Sequence, residues 1–117
     1  MFKLEDGQHG FTEIFVVDEP SLDKSFHKYI IRDSNEPTRI LTEINFQKGP
    51  VKEYGVNGIF MEDLLQICIH RLECFQESEI ACRENALALT KIEEALQWLD
   101  NRTRNRRKRN VEGTNQK

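Results

Sequence analysis

The sequence predicts an α+β fold: a small N-terminal antiparallel β-sheet followed by a long antiparallel helical hairpin, in an oligomer. Two observations carry this expectation. Three segments rich in β-branched and aromatic residues come first, parted by turn formers. Beyond Gly49-Pro50 and Gly55-Val56-Asn57-Gly58, the strongest punctuation in the chain, the apolar period becomes helical.

The strand-like segments are 11–17 (FTEIFVV), 26–31 (FHKYII) and 38–46 (TRILTEINF), separated by Pro20-Ser21, Asp33-Ser34-Asn35 and Pro37. They read as a three-stranded meander. In the first, Phe11, Glu13, Phe15 and Val17 alternate with Thr12, Ile14 and Val16, which places the two sets on opposite faces. A shorter extended piece is expected over Val51 to Tyr54.

Leu65, Cys68, Leu72 and Phe75 recur at steps of 3, 4 and 3, which defines a helix from about Met61 to Gln76. A break at Glu77-Ser78-Glu79 follows, with Ser78 as the expected N-cap of the next helix. That second helix runs from about 81 to 107. Its seam of Asn85, Leu89, Ile92, Leu96, Leu99 and Thr103 keeps steps of 4, 3, 4, 3 and 4. A second row, Ala81, Ala88, Ala95 and Arg102, would let another helix approach closely. A 26-residue helix extends ~39 Å, more than a three-stranded sheet can cover, so a dimer at least is expected. The whole chain reads as one domain, with a sheet region over 1–60, the hairpin over 61–109 and a polar tail over 110–117.

Composition narrows the function classes. The chain has 117 residues, 38% hydrophobic and 32% charged, and a mean hydropathy of −0.65. The longest apolar runs are four residues, so no membrane span is expected. No basic start leads into a long apolar stretch, so no secretory signal is expected. Cys68, Cys74 and Cys82 are odd in number and form no C-x-x-C pair, which reads as reduced thiols in a cytosolic protein. Net charge is −3, yet Arg102, Arg104, Arg106, Arg107, Lys108 and Arg109 crowd the end of the second helix. Such a cluster meets phosphate, an acidic partner or water.

Catalytic patterns are missing: there is no Gly-rich phosphate loop, no G-x-S-x-G and no H-E-x-x-H. His70 and Cys74, four residues apart, could form a three-ligand metal site with Cys82; the alternative is a packed helix with two buried thiols. Asn85 occupies a seam position where an apolar residue belongs, so it either fixes register or belongs to a ligand site. Phe75 is a core aromatic or a stacking surface for a nucleobase. Arg102 ends the alanine row, where a guanidinium can stack on a base or grip a phosphate; the other arginines read as a solvated helix end.

Longer stretches carry a resemblance. These are residues 44–53 (INFQKGPVKE), Gly55-Val56-Asn57-Gly58, 71–76 (RLECFQ), 82–91 (CRENALALTK), 98–103 (WLDNRT) and Val111-Glu112-Gly113-Thr114. Together they resemble the first described family of Thoeris anti-defence proteins, encoded by phages and prophages. The resemblance covers about 44–114; residues 1–43 carry no motif of it. It implies a sponge without enzymatic activity or cofactor. Such a protein binds the glycocyclic ADP-ribose that a TIR-domain protein makes from NAD, and holds it unaltered in the cytoplasm of the infected bacterium. It further implies a homo-oligomer, dimeric or hexameric, and pockets for the cyclic di- and trinucleotides of CBASS. On this resemblance Phe75, Asn85 and Arg102 line the nucleotide pocket, with Arg83, Arg109 and Thr114 as further contacts. The competing readings are a nucleic-acid-binding regulator that uses Arg102 to Arg109, and a hydrolase of the same signal. The first lacks a recognition motif and the second lacks a general base beside a nucleophile or metal.

Overall fold

The computed structural model describes residues 1–4 and 9–109. Its contacts divide into two compact units, Met1–Lys48 with Val56–Ile59, and Gly49–Gly55 with Phe60–Lys117.

The first unit is a four-stranded antiparallel sheet in the order β1-β2-β3-β4, formed by Phe2–Lys3, Thr12–Val16, Lys28–Asp33 and Ile40–Asn45. The expected meander is present, and the two-residue β1 is added to it. A strand so short shows no alternation in sequence; it is defined by pairing Phe2 with Val16 and Lys3 with Phe15. Register sets Ile14 opposite Ile31, and Val16 opposite Tyr29, which in turn faces Ile44. These side chains therefore share one face, where Val16 is only 1% exposed. The other face is a charge ladder. Glu13 pairs with Arg32 at 3.4 Å and Lys3 at 3.5 Å, and the Arg32 guanidinium lies 4.1 Å from the Phe15 ring centroid.

Carboxylates organise the loop between β2 and β3. Asp18 accepts from the backbone N–H groups of His27 (2.9 Å) and Lys28 (3.2 Å). Burial pushes its pKa up, but those N–H groups outweigh it and the net direction is down. Asp23 accepts from the hydroxyls of Ser21 and Ser25 and from the Ser25 N–H, which hold its carboxyl at about 2 rather than 3.8.

After β4 the chain returns to the end of the sheet. Phe46 and Ile59 form a parallel bridge, and the Asn57 amide both donates to Lys48 O and accepts from Lys48 N–H at 2.8 Å. Gly58 makes this possible. A Cβ there would lie 2.4 Å from the Phe46 carbonyl carbon and 2.6 Å from Gln47 N.

In the second unit, Val51–Tyr54 forms a single helical turn (α1) rather than the expected extended piece. Pro50, with φ −63°, accepts from Glu53 and Tyr54 N–H, and Gly55 ends the turn at φ 69° with its N–H on Val51 O. Proline supplies the dihedral for entry and glycine the left-handed exit. The two long helices are α2, Met61–Gln76, and α3, Arg83–Lys108. The bounds of α2 match the sequence expectation. Its N-terminus is closed by Asp63, which accepts from Phe60 N–H at 2.9 Å.

All six seam residues expected on α3, from Asn85 to Thr103, are half-buried, while the row Ala81, Ala88, Ala95 and Arg102 is exposed. The phase of α2 differs from expectation. Ile69 is its buried residue, flanked by half-buried Leu65 and Leu72, and Cys68 is exposed. The second unit thus turns Ile69 inward in place of Cys68, because Leu64, Leu65, Ile67, Cys68 and Ile69 spread apolar side chains over about half of the helix circumference. The expectation of two buried thiols is likewise overturned: Cys68, Cys74 and Cys82 are free and exposed.

Two expected outcomes test this architecture. Gly58→Ala should destabilise the protein by about 1–3 kcal/mol, because backbone atoms must move to admit the methyl group; an unchanged urea midpoint would refute the close approach. Asp23 ionises more readily folded than unfolded, so its contribution is full above the unfolded value and is lost as pH falls through about 2. Asp23→Asn should therefore flatten the fall in stability between about pH 4 and pH 2, as read by thermal melts at a series of pH values.

Candidate functional site

The hairpin turn is where its polar side chains are most tightly organised. Phe75 occupies the last turn of α2 and Asn85 the first turn of α3, with residues 77–82 between them. Gln76 closes the connection. Its side-chain amide donates to Cys82 O at 3.1 Å, and Cys82 N–H donates back to its oxygen at 3.1 Å.

Cys82, not Ser78, is the N-cap of α3. Its sulfur accepts from Asn85 N–H at 3.4 Å. Ser78 instead finishes α2, its hydroxyl donating to Phe75 O at 2.7 Å and accepting from Ile80 N–H at 3.2 Å. The sequence rule for caps pointed to Ser78, but residues 79–82 separate it from the helix. The Gln76 clip fixes Cys82 at the start instead.

Phe75 and Asn85 are both half-buried. The Asn85 side-chain amide makes no hydrogen bond with another described residue. Against the Phe75 ring lies Arg71, one helical turn earlier, its guanidinium carbon 5.2 Å from the ring centroid. Sequence reasoning passed over Arg71; the available signal was its i, i+4 spacing to Phe75. Arg83, the first residue of α3, is exposed at this same end of the hairpin.

Arg102 lies at the other end. It approaches Glu62, in the first turn of α2, at 4.0 Å, with about half of its side chain exposed. Asn85 and Arg102 are 17 residues apart on one unbroken helix, which is about 25 Å. Within one chain, Phe75 and Asn85 are therefore not brought together with Arg102. Arg109 is the C-cap of α3, beyond Arg102 and exposed, and Thr114 lies outside the described residues. The basic run is partly neutralised, since Arg104 pairs with Asp100 at 2.8 Å.

From the Glu62–Arg102 end toward the middle of the hairpin, the two helices flank an open groove of ≈ 690 Å³. Its walls include Glu62, Asp63, Glu73, Glu93 and Asp100. This concentration of negative charge repels phosphate.

His70 Nε2 and Cys74 Sγ are 3.7 Å apart, but Cys82 is engaged in capping α3. Among the described residues no group of three His, Cys, Asp or Glu side chains converges to hold a metal. Nor is any described helix long and apolar enough to cross a membrane.

Comparison with known proteins concerns the same segment. A family model described as "Acb2/Tad1, hairpin domain" matches residues 39–104, from the start of β4 through most of α3. The chain is also 57% identical over 77 residues to "Thoeris anti-defense 1" of Bacillus phage SBSphiJ7, an alignment covering 66% of this chain and 54% of that protein. The chain thus spans about half the length of that relative. Phe75, Asn85, Arg102 and the clipped turn all fall inside the matched residues, which make up more than half of the sequence, and the protein belongs to the Acb2/Tad1 hairpin family.

Proposed function

We propose that this protein is a phage anti-defence sponge: it binds glycocyclic ADP-ribose made by the TIR proteins of Thoeris and sequesters it without turnover. The observation that carries the proposal is the clipped hairpin turn, inside the family match, which presents Phe75 and an Asn85 amide with no internal partner. A cyclic ADP-ribose needs a flat face for adenine, hydrogen-bonding groups for ribose or phosphate oxygens, and positive charge for its pyrophosphate. Phe75 offers the first and Asn85 the second. Arg102, Arg83, Arg109 and Thr114 are proposed as the remaining contacts.

The ~25 Å between Asn85 and Arg102 has a consequence. A pocket containing both must draw Phe75 and Asn85 from one chain and Arg102 from another. The exposed row of Ala81, Ala88 and Ala95 leading to Arg102 suits such an approach of helices. We therefore propose a homodimer or higher oligomer with composite pockets. The competing nucleic-acid reading is weakened by the net charge of −3 and by the ion pair of Arg104 with Asp100 within the basic run.

Mixed variants test the composite pocket. Phe75→Ala should cost ~1–3 kcal/mol in binding from lost stacking, and Arg102→Ala about 1.5–3 kcal/mol from a lost charge-assisted contact. Co-refolding the two variants should restore up to about a quarter of the tight sites, because each mixed isologous dimer rebuilds one intact pocket. Calorimetry showing no recovery despite mixed assembly would exclude a two-chain pocket. Sequestration itself is read by heating the loaded protein: intact glycocyclic ADP-ribose should appear in the mass spectrum, whereas hydrolysed ligand would make the protein an enzyme.

A further inference from the structure

We infer that Arg71 is a nucleotide-contacting residue, one that guards the Phe75 ring in the free protein and turns onto a phosphate when a base takes its place. The inference rests on the nucleotide-binding reading above and adds a residue to it.

The cation that faces Phe75 within its own chain is Arg71. Its guanidinium carbon lies 5.2 Å from the ring centroid, one turn back along α2. A base stacked on that face needs the surface at roughly 3.5 Å, so the guanidinium must swing away. The swing is easy. Arg71 is exposed, and among the described residues it forms no ion pair, whereas Arg102 and Arg104 each meet a carboxylate. A displaced guanidinium stays tethered within a side-chain length of the ring. The nearest new partner is then the pyrophosphate of the same nucleotide, which it can grip through two parallel N–H groups.

The surroundings favour this exchange. Ser78 and Gln76 fix the backbone on both sides of the turn, so Phe75 does not have to move with Arg71. The carboxylate-lined groove does not include Arg71 among its walls, so the released charge is not captured there.

The test is calorimetric titration of the full chain with glycocyclic ADP-ribose at low and high salt. Wild type is compared with Arg71→Met, which keeps length without charge, and with Arg71→Lys, which keeps the charge. Arg71→Met should melt like wild type, lose about ten- to a hundredfold in affinity and show a shallower salt dependence. Arg71→Lys should retain the salt dependence of wild type. A folded Arg71→Met with wild-type affinity and salt dependence would overturn the assignment while leaving the nucleotide reading intact. Failure of wild type itself to bind would overturn both. Loss of the salt dependence in Arg71→Lys would show that the charge meets no phosphate.

Discussion

The packing of α2 on α3 along one narrow stripe is the interaction on which the hairpin and its turn depend. Ile69 is the buried residue of α2, and α3 runs for 26 residues with half-buried side chains but no buried one. A fully buried Ile contributes roughly 1.5–3 kcal/mol, and half-buried neighbours contribute less each. A stripe this thin holds two helices side by side but does little to fix their ends. The turn is therefore tied by hydrogen bonds instead. The reciprocal Gln76–Cys82 pair and the Ser78 hydroxyl hold the chain where packing does not.

Length and charge then sort the surface of the hairpin. The groove between the helices collects carboxylates, while arginines gather toward its ends: Arg71 and Arg83 by the turn, Arg102 to Arg109 at the far end. Positive charge at the C-terminal end of α3 also answers the negative end of its dipole. The aromatic and amide chemistry of the turn is separated from the larger arginine cluster by most of the length of α3. One chain does not close that distance.

The sheet depends on a different device. Its strands pair through backbone hydrogen bonds over a face on which Val16 alone is fully enclosed, and a charge ladder stabilises the other face. The returning segment Asn57-Gly58 ties to residues 46–48, just after β4, by side-chain amide bonds and a close backbone approach. The family match begins at residue 39, so β1, β2 and β3 stand outside it and only β4 lies within. The nucleotide chemistry proposed for the hairpin does not call on those three strands.

The sequence by itself determined the order of the three longer strands and the two long helices, the bounds of α2 and the inward face of α3, whose pattern repeats without a break from Asn85 to Thr103. The motif residues of the family were legible too, since they lie in continuous stretches. Tertiary structure decided what periodicity left ambiguous. On α2 the apolar arc is wide, about half of the circumference, so contact with α3 selects Ile69 over Cys68. At the turn, the sequence offered Ser78 as the cap, and the Gln76 amide, six residues from Cys82, fixed Cys82 in that place instead. Val51–Tyr54 follows a proline and precedes a glycine at φ 69°, backbone terms that outweigh its strand-like composition. The distance between Asn85 and Arg102 was implicit in the sequence as 17 residues, yet its meaning came from the structure: α3 is unbroken, so helical rise converts that count into a separation no single pocket spans.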